Sequence, residues 1–288
     1  MPAREGSEGV STIARTGCGP GAELLSAGVG DGAPEDALDP VRTAGIFGLL
    51  EQTVYRYFRV RVFGAEHLPA GRGLIVGCHS GVLPWDATCL VVAVHRATGR
   101  FSRNVGDRFF ASLGPIERFL RSTGLVIGKR DAVEGLLARD HLVVVFPGGA
   151  DDMRRPIWRR YQVAANRGLR PGRGGYVKAA IRTGSPVVPV AIVGTEEIHL
   201  MLGDLPLLAR VLGVPFFPVV LSPLPLPARV YIRFGPAVRF PVPPEAADDQ
   251  ETVDRLNGVM RERLQALIDD TLRRRRGIYW SDWDGETP

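Results

Sequence analysis

Four short apolar runs constrain the fold of this chain more than any other feature: Leu74 to Gly77, Leu125 to Ile127, Leu142 to Phe146 and Pro186 to Val193. Each is short, rich in β-branched residues and set off by turn or polar residues, so each reads as a buried strand. Helical patterns fall between them, over Asp86 to Arg96 with Leu90, Val91 and Val94 on one face, and over Tyr176 to Arg182. Strands alternating with helices prescribe an α/β fold, a mixed, largely parallel central sheet flanked by helices. Arg229 to Phe234 adds an alternating strand that closes at Gly235-Pro236.

Amphipathic patterns lie on both sides of this core. Between Val41 and Val62, Ile46, Leu49, Leu50, Val54, Tyr57 and Phe58 recur at helical spacing, with Arg56, Arg59 and Arg61 interleaved or just beyond. This N-terminal amphipathic helical element suits either packing on the domain or lying on anionic lipid. Val253, Leu256, Met260, Leu264, Ile268 and Leu272 mark a long helix ending in Arg273 to Arg276, followed by Ile278, Tyr279, Trp280 and Trp283. The arginines there suit anionic lipid or a solvated helix end, with the aromatics packed on the body. The apolar stretch Ile198 to Val220 can line an acyl-chain groove, dip into a bilayer or pack in the core.

Three segments are expected: an acidic, disordered lead over 1–40, an α/β domain over 41–245, and a C-terminal helix with a basic, aromatic tail over 246–288. The lead carries seven acidic and two basic side chains among much Gly, Ala and Pro, too little apolar surface to offset its ordering entropy. Beyond it, 34 of the 36 basic and 24 of the 31 acidic residues leave a net charge of +10. That balance favours an anionic partner: nucleic acid, an acidic membrane surface or a phosphate-bearing substrate such as coenzyme A. Nucleic acid drops out because no basic module with stacking aromatics is recognisable.

Cys18, Cys78 and Cys89 have neither metal-ligand nor disulfide-framework spacing, which points to a reducing compartment. The start lacks the order of a signal peptide, and Val211 to Ala228 is broken by five prolines, so no spanning helix is expected. The expected place is the cytoplasm, peripherally on a membrane.

The chemistry concentrates in Gly77-Cys78-His79-Ser80-Gly81-Val82-Leu83-Pro84-Trp85-Asp86, directly after the first buried strand. On one continuous helix, His79 and Asp86 would stand about 10 Å apart along the axis, too far to bond. A folded loop through Gly81, with a helix beginning near Pro84, can bring them together. An aspartate bound to one ring nitrogen fixes the tautomer and leaves the other nitrogen to take a proton from a hydroxyl. No Gly-x-Ser-x-Gly elbow accompanies the pair, so it is not a serine-hydrolase triad. A metal centre is not expected, because His95 and His141 carry no ligand spacing.

Further loops extend the pattern, and together with this one they resemble the lysophospholipid acyltransferase superfamily of glycerolipid acyltransferases. His79 to Asp86 is similar to that family's His-x4-Asp block, lengthened by two residues as in the branch near the diacylglycerol acyltransferase-like proteins. Gly124 to Arg130 resembles the second block, Phe146-Pro147-Gly148-Gly149-Ala150-Asp151 the third (Phe-Pro-Glu-Gly-Thr-Arg), and Val187-Val188-Pro189-Val190 the fourth.

The resemblance implies that His79 and Asp86 are catalytic and that Ser80, Gly81, Arg130, Phe146, Pro147, Gly148, Gly149 and Asp152 bind substrate. It implies acyl-CoA or acyl carrier protein as donor, with no cofactor beyond that co-substrate, a lipid acceptor and an anionic membrane surface. Gly148 and Asp151 stand where phosphate-accepting members place Glu and Arg, which points to a neutral lipid alcohol such as mono- or diacylglycerol. The alternatives are a 1-acylglycerol-3-phosphate acyltransferase, or a non-catalytic lipid-binding protein on the same scaffold.

Overall fold

The computed structural model describes residues 37–106, 114–127, 130–163 and 167–279. Most of the acidic lead, Gly128 and Lys129 of the second block, and Trp280 and Trp283 therefore lie outside the described residues.

The four apolar runs are strands β2 (Gly73–Gly77), β4 (Leu125–Ile127), β5 (Leu142–Val145) and β6 (Val187–Val193). They are joined by β1 (Arg61–Phe63), β3 (Arg103–Gly106) and β9 (Tyr231–Phe234) in a seven-stranded sheet of order β1-β9-β6-β2-β5-β3-β4. All neighbours run parallel except β6 and β9. Because β6 pairs Val193 with Tyr231, and β9 pairs Tyr231 with Arg61, the starts of β1 and β9 share one sheet edge with the ends of β2 and β6.

Alternation along each strand divides the core between two faces. Leu74, Val76, Val143 and Val187 join one cluster with the helices α4 (Arg130–Ala138), α6 (Gly175–Thr183) and α8 (Gln250–Arg274). Ile75, Val144, Val188 and Ile192 join the other, under α1 (Pro40–Leu50) and α2 (Trp85–Thr98).

The N-terminal element packs on the domain, with Phe47, Tyr55 and Phe58 buried in this second cluster. It is shorter than the sequence pattern suggests. After a π-helical turn over Glu51–Tyr55 the helix closes at Arg59, whose left-handed φ of 46° lets Val60 N–H reach Tyr55 O, and the chain then enters β1. The C-terminal tail likewise turns inward. Ile278 and Tyr279 pack against the core, and Arg275 is buried on Glu197 at 2.9 Å, so that arginine is not presented to a lipid surface.

Glu197 sits with Glu196 in a turn after β6, and this turn fastens several segments. Tyr161 hydroxyl donates to Glu197, Tyr161 N–H to Glu196, and Arg155 pairs with Glu196 at 3.3 Å. Burial pushes Glu196 up to about 7, against the pull of Arg155. Arg275→Ala leaves the buried Glu197 with Arg160 at 3.7 Å and the Tyr161 hydroxyl, and is expected to cost about 1.5–3 kcal/mol of stability in urea unfolding through the lost charged hydrogen bond. Arg273→Ala, at a side chain 72% exposed on Asp270, is expected to change stability by about 0.5 kcal/mol or less. For Glu196 the folded state holds its proton more tightly than the unfolded chain. Its contribution is thus full below 4.5 and lost as pH rises through about 7, and Glu196→Gln should flatten that fall in pH-dependent urea midpoints.

Candidate active site

His79 lies two residues beyond the end of β2, and Asp86 lies in the first turn of α2. The intervening loop folds back as its length requires. Gly81 adopts φ 94°, and a Cβ there would meet Thr195 O at 2.5 Å, so only glycine lets the loop pass this close to the turn after β6. Asp86 is fully buried, where the positive end of the α2 dipole favours a carboxylate. Its Oδ2 accepts from His79 Nδ1 at 2.8 Å and from Ser80 N–H at 2.8 Å, and its Oδ1 accepts from Ala87 N–H at 2.7 Å.

The His79 ring is held from a second side, stacked on Phe146 with centroids 3.9 Å apart and planes 15° from parallel. From below, the Arg155 guanidinium donates to His79 O. These contacts fix the ring with Nδ1 engaged, which makes Nε2 the basic position. The side chain is 16% exposed, enough for a substrate atom to approach.

The loop after β5 brings Asp152 to the same place. Asp152 is buried, accepts from the His79 backbone N–H, and is raised by burial to about 6, against the nearby charges of Arg155 and His79. Its carboxyl lies over Gly148: a Cβ on that glycine would fall 2.2 Å from the Asp152 carboxyl atoms. The space a side chain at 148 would take is thus filled by an acid four residues later.

The remaining expected residues divide. The Ser80 hydroxyl is bound to Thr195 and its N–H to Asp86, so both groups help build the loop. Gly149 N–H closes a turn onto Phe146 O. Gly81, Val82, Asp152, Met153, Ile157 and Met201 line a crevice of about 10 Å³ beside the dyad, room for about one water. Pro147 instead faces a separate cavity of about 410 Å³ with Arg173 and Lys178. Arg130 opens α4 after β4, at the same sheet edge but three strands from β2. At about 4.8 Å per strand it stands well to the side of His79.

Sequence reasoning missed Arg155 and Glu196, which brace the floor of the site. Their only signal is a pair of opposite charges, each placed just beyond an expected strand-end loop. Among the described residues no group of three His, Cys, Asp or Glu side chains is placed to hold a metal ion.

Known proteins resemble this chain in sequence. A family model described as Acyltransferase matches residues 59–193. An uncharacterised protein of Mycobacterium tuberculosis is 37% identical over 236 residues, covering 78% of this chain and 64% of that protein. An uncharacterised protein of Mycobacterium leprae is 38% identical over 237 residues, covering 78% and 63%. The "DGAT1/2-independent enzyme synthesizing storage lipids" of Mus musculus is 25% identical over 217 residues, covering 72% and 59%. The chain thus spans about three fifths of the length of these curated relatives. The crystal structure of the 1-acyl-sn-glycerophosphate acyltransferase PlsC from Thermotoga maritima aligns with a TM-score of 0.44 at 19% identity, covering 77% of this chain and 82% of that one. The segment that matches the Acyltransferase family model opens at Arg59, encloses the His79–Asp86 pair and closes at the end of β6, so over these residues the chain is similar to that family.

Proposed function

We propose that the protein transfers a fatty acyl group from acyl-CoA, or from acyl carrier protein, to the hydroxyl of a neutral lipid alcohol. The observation that carries this reading is the 2.8 Å bond between His79 Nδ1 and the fully buried Asp86. With Nδ1–H held, Nε2 removes the proton of the acceptor hydroxyl as its oxygen attacks the thioester carbonyl. The tetrahedral intermediate collapses to the ester, and the departing thiolate takes the proton back from His79. General-base help of this kind is worth about 10² to 10⁴ in rate.

A neutral acceptor is supported by the way nearby charges are already matched. Arg155 pairs with Glu196 and donates to His79 O and Asp152 O, while Arg154 pairs with Asp204 at 2.6 Å. A phosphate beside His79 would meet the Asp152 carboxyl and compete with these acids for the two arginines. The likeness to an enzyme named for storage-lipid synthesis agrees with such an acceptor. No helix among the described residues is long and apolar enough to cross a membrane. In this proposal the acceptor is reached by peripheral association.

Two measurements check the reading. With labelled acyl-CoA, His79→Ala should lower turnover by about 10² to 10⁴, and Asp86→Asn by about 10² or more through loss of the fixed tautomer. Full turnover in a folded His79→Ala protein would sink the dyad. In an acceptor panel of lysophosphatidic acid, monoacylglycerol and diacylglycerol, a neutral acceptor should give the highest kcat/KM. Preference for lysophosphatidic acid would instead favour the phosphate-accepting alternative.

A further inference from the structure

An apolar excursion leaves the sheet beside the crevice of the candidate site. After the Glu196–Glu197 turn the chain forms β7 (Met201–Asp204), the short helix α7 (Pro206–Leu212) and β8 (Pro218–Val220), with β7 and β8 paired as a separate two-stranded sheet. From Ile198 to Pro227 the only Asp, Glu, Lys or Arg residues are Asp204, paired with Arg154, and Arg210. The outer surface is aliphatic: Leu207 is 78% exposed, Val211 74%, Leu221 66% and Leu224 75%, with Leu205 and Leu212 about half exposed beside them. Exposed apolar side chains concentrated in one short segment point to an interaction site. Its inner end is Met201, which lines the crevice with Asp152 and Gly81.

Next to the excursion lies a basic cleft. Arg56, Arg59, Arg61, Arg96 and Arg229 line a cavity of about 510 Å³ with Glu51 as its one acidic residue, a net charge of +4 from five arginines and one glutamate. The cleft and the excursion are joined directly, since Arg59 donates to Pro227 O and Tyr57 hydroxyl to Pro225 O at 2.6 Å. Arg61 and Arg229 stand at the starts of β1 and β9, the sheet edge at which β2 delivers His79. Aliphatic surface, arginines and dyad therefore occupy one edge of the sheet.

We infer that this edge docks on an anionic lipid bilayer, the β7-α7-β8 excursion entering the acyl region while the arginine cleft holds phosphate headgroups. The inference rests on the proposed lipid acceptor for its purpose, and on charge complementarity and continuity with the crevice for its placement. Anionic headgroups complement the net positive charge of the cleft, and aliphatic side chains suit hydrocarbon. A second copy seated symmetrically on the same face would bring two clefts of the same sign together.

The test is sedimentation of the full chain with phosphatidylcholine vesicles, with and without phosphatidylglycerol. The wild type is expected to bind the anionic vesicles, more weakly as salt rises. Leu207→Asp with Val211→Asp, and separately Leu224→Asp, should weaken that binding by about tenfold or more, with far-UV circular dichroism retained. Arg56→Glu should weaken binding to anionic vesicles and leave binding to phosphatidylcholine alone as in the wild type. Wild-type protein that binds neither vesicle, variants that bind as tightly as wild type, or a dimer that Leu207→Asp dissociates would each overturn the inference. Acyl transfer to a short-chain, monomeric acceptor separates the two readings. Transfer there without vesicle binding overturns the docking alone, whereas vesicle binding lost in the Leu and Val variants of a protein that transfers to no acceptor supports the docking and overturns the function.

Discussion

The candidate site depends on one buried carboxylate. Asp86 has no exposed surface, and three N–H groups and the start of α2 converge on it. Two of those donors come from the loop it closes. The same interaction therefore orients the His79 ring and holds the chain between β2 and α2 in the folded path that the spacing of the two residues demands. The Phe146 ring and Arg155 then constrain His79 from the neighbouring β5 loop. No single segment positions the dyad; the ends of β2, β5 and β6 do so together.

Much of this was legible in the sequence because it is written locally. The apolar runs of β2, β5 and β6, the helices α2, α6 and α8, and the need for a folded loop between His79 and Asp86 all follow from periodicity and helix geometry. What escaped was set by distant partners. β1 and β3 are short and only partly apolar, and they become strands because β9 and β5 offer them open edges. The C-terminal arginine run carries no sign that one member turns inward, since that depends on Glu197 being placed by β6. Ser80 looked available beside His79, yet its hydroxyl is bound to Thr195, a residue 115 positions away.

The charges around the site form a brace as well as an electrostatic setting. Arg155 ties the β5 loop to the β6 turn, and Arg275 ties that same turn to the end of α8. Asp152 and Glu196 are both raised toward neutrality by burial even with Arg155 between them. A site built this way holds its shape at the expense of buried acids that are reluctant to ionise, and it keeps charge close to the histidine without leaving it exposed to water.

The packing of Asp152 over Gly148 has a consequence for how such a loop can change. A side chain at 148 and the present carboxyl of Asp152 claim the same volume, so a residue larger than glycine there must displace that carboxyl. Such a displacement would come at the expense of the bond that Asp152 accepts from the His79 backbone N–H.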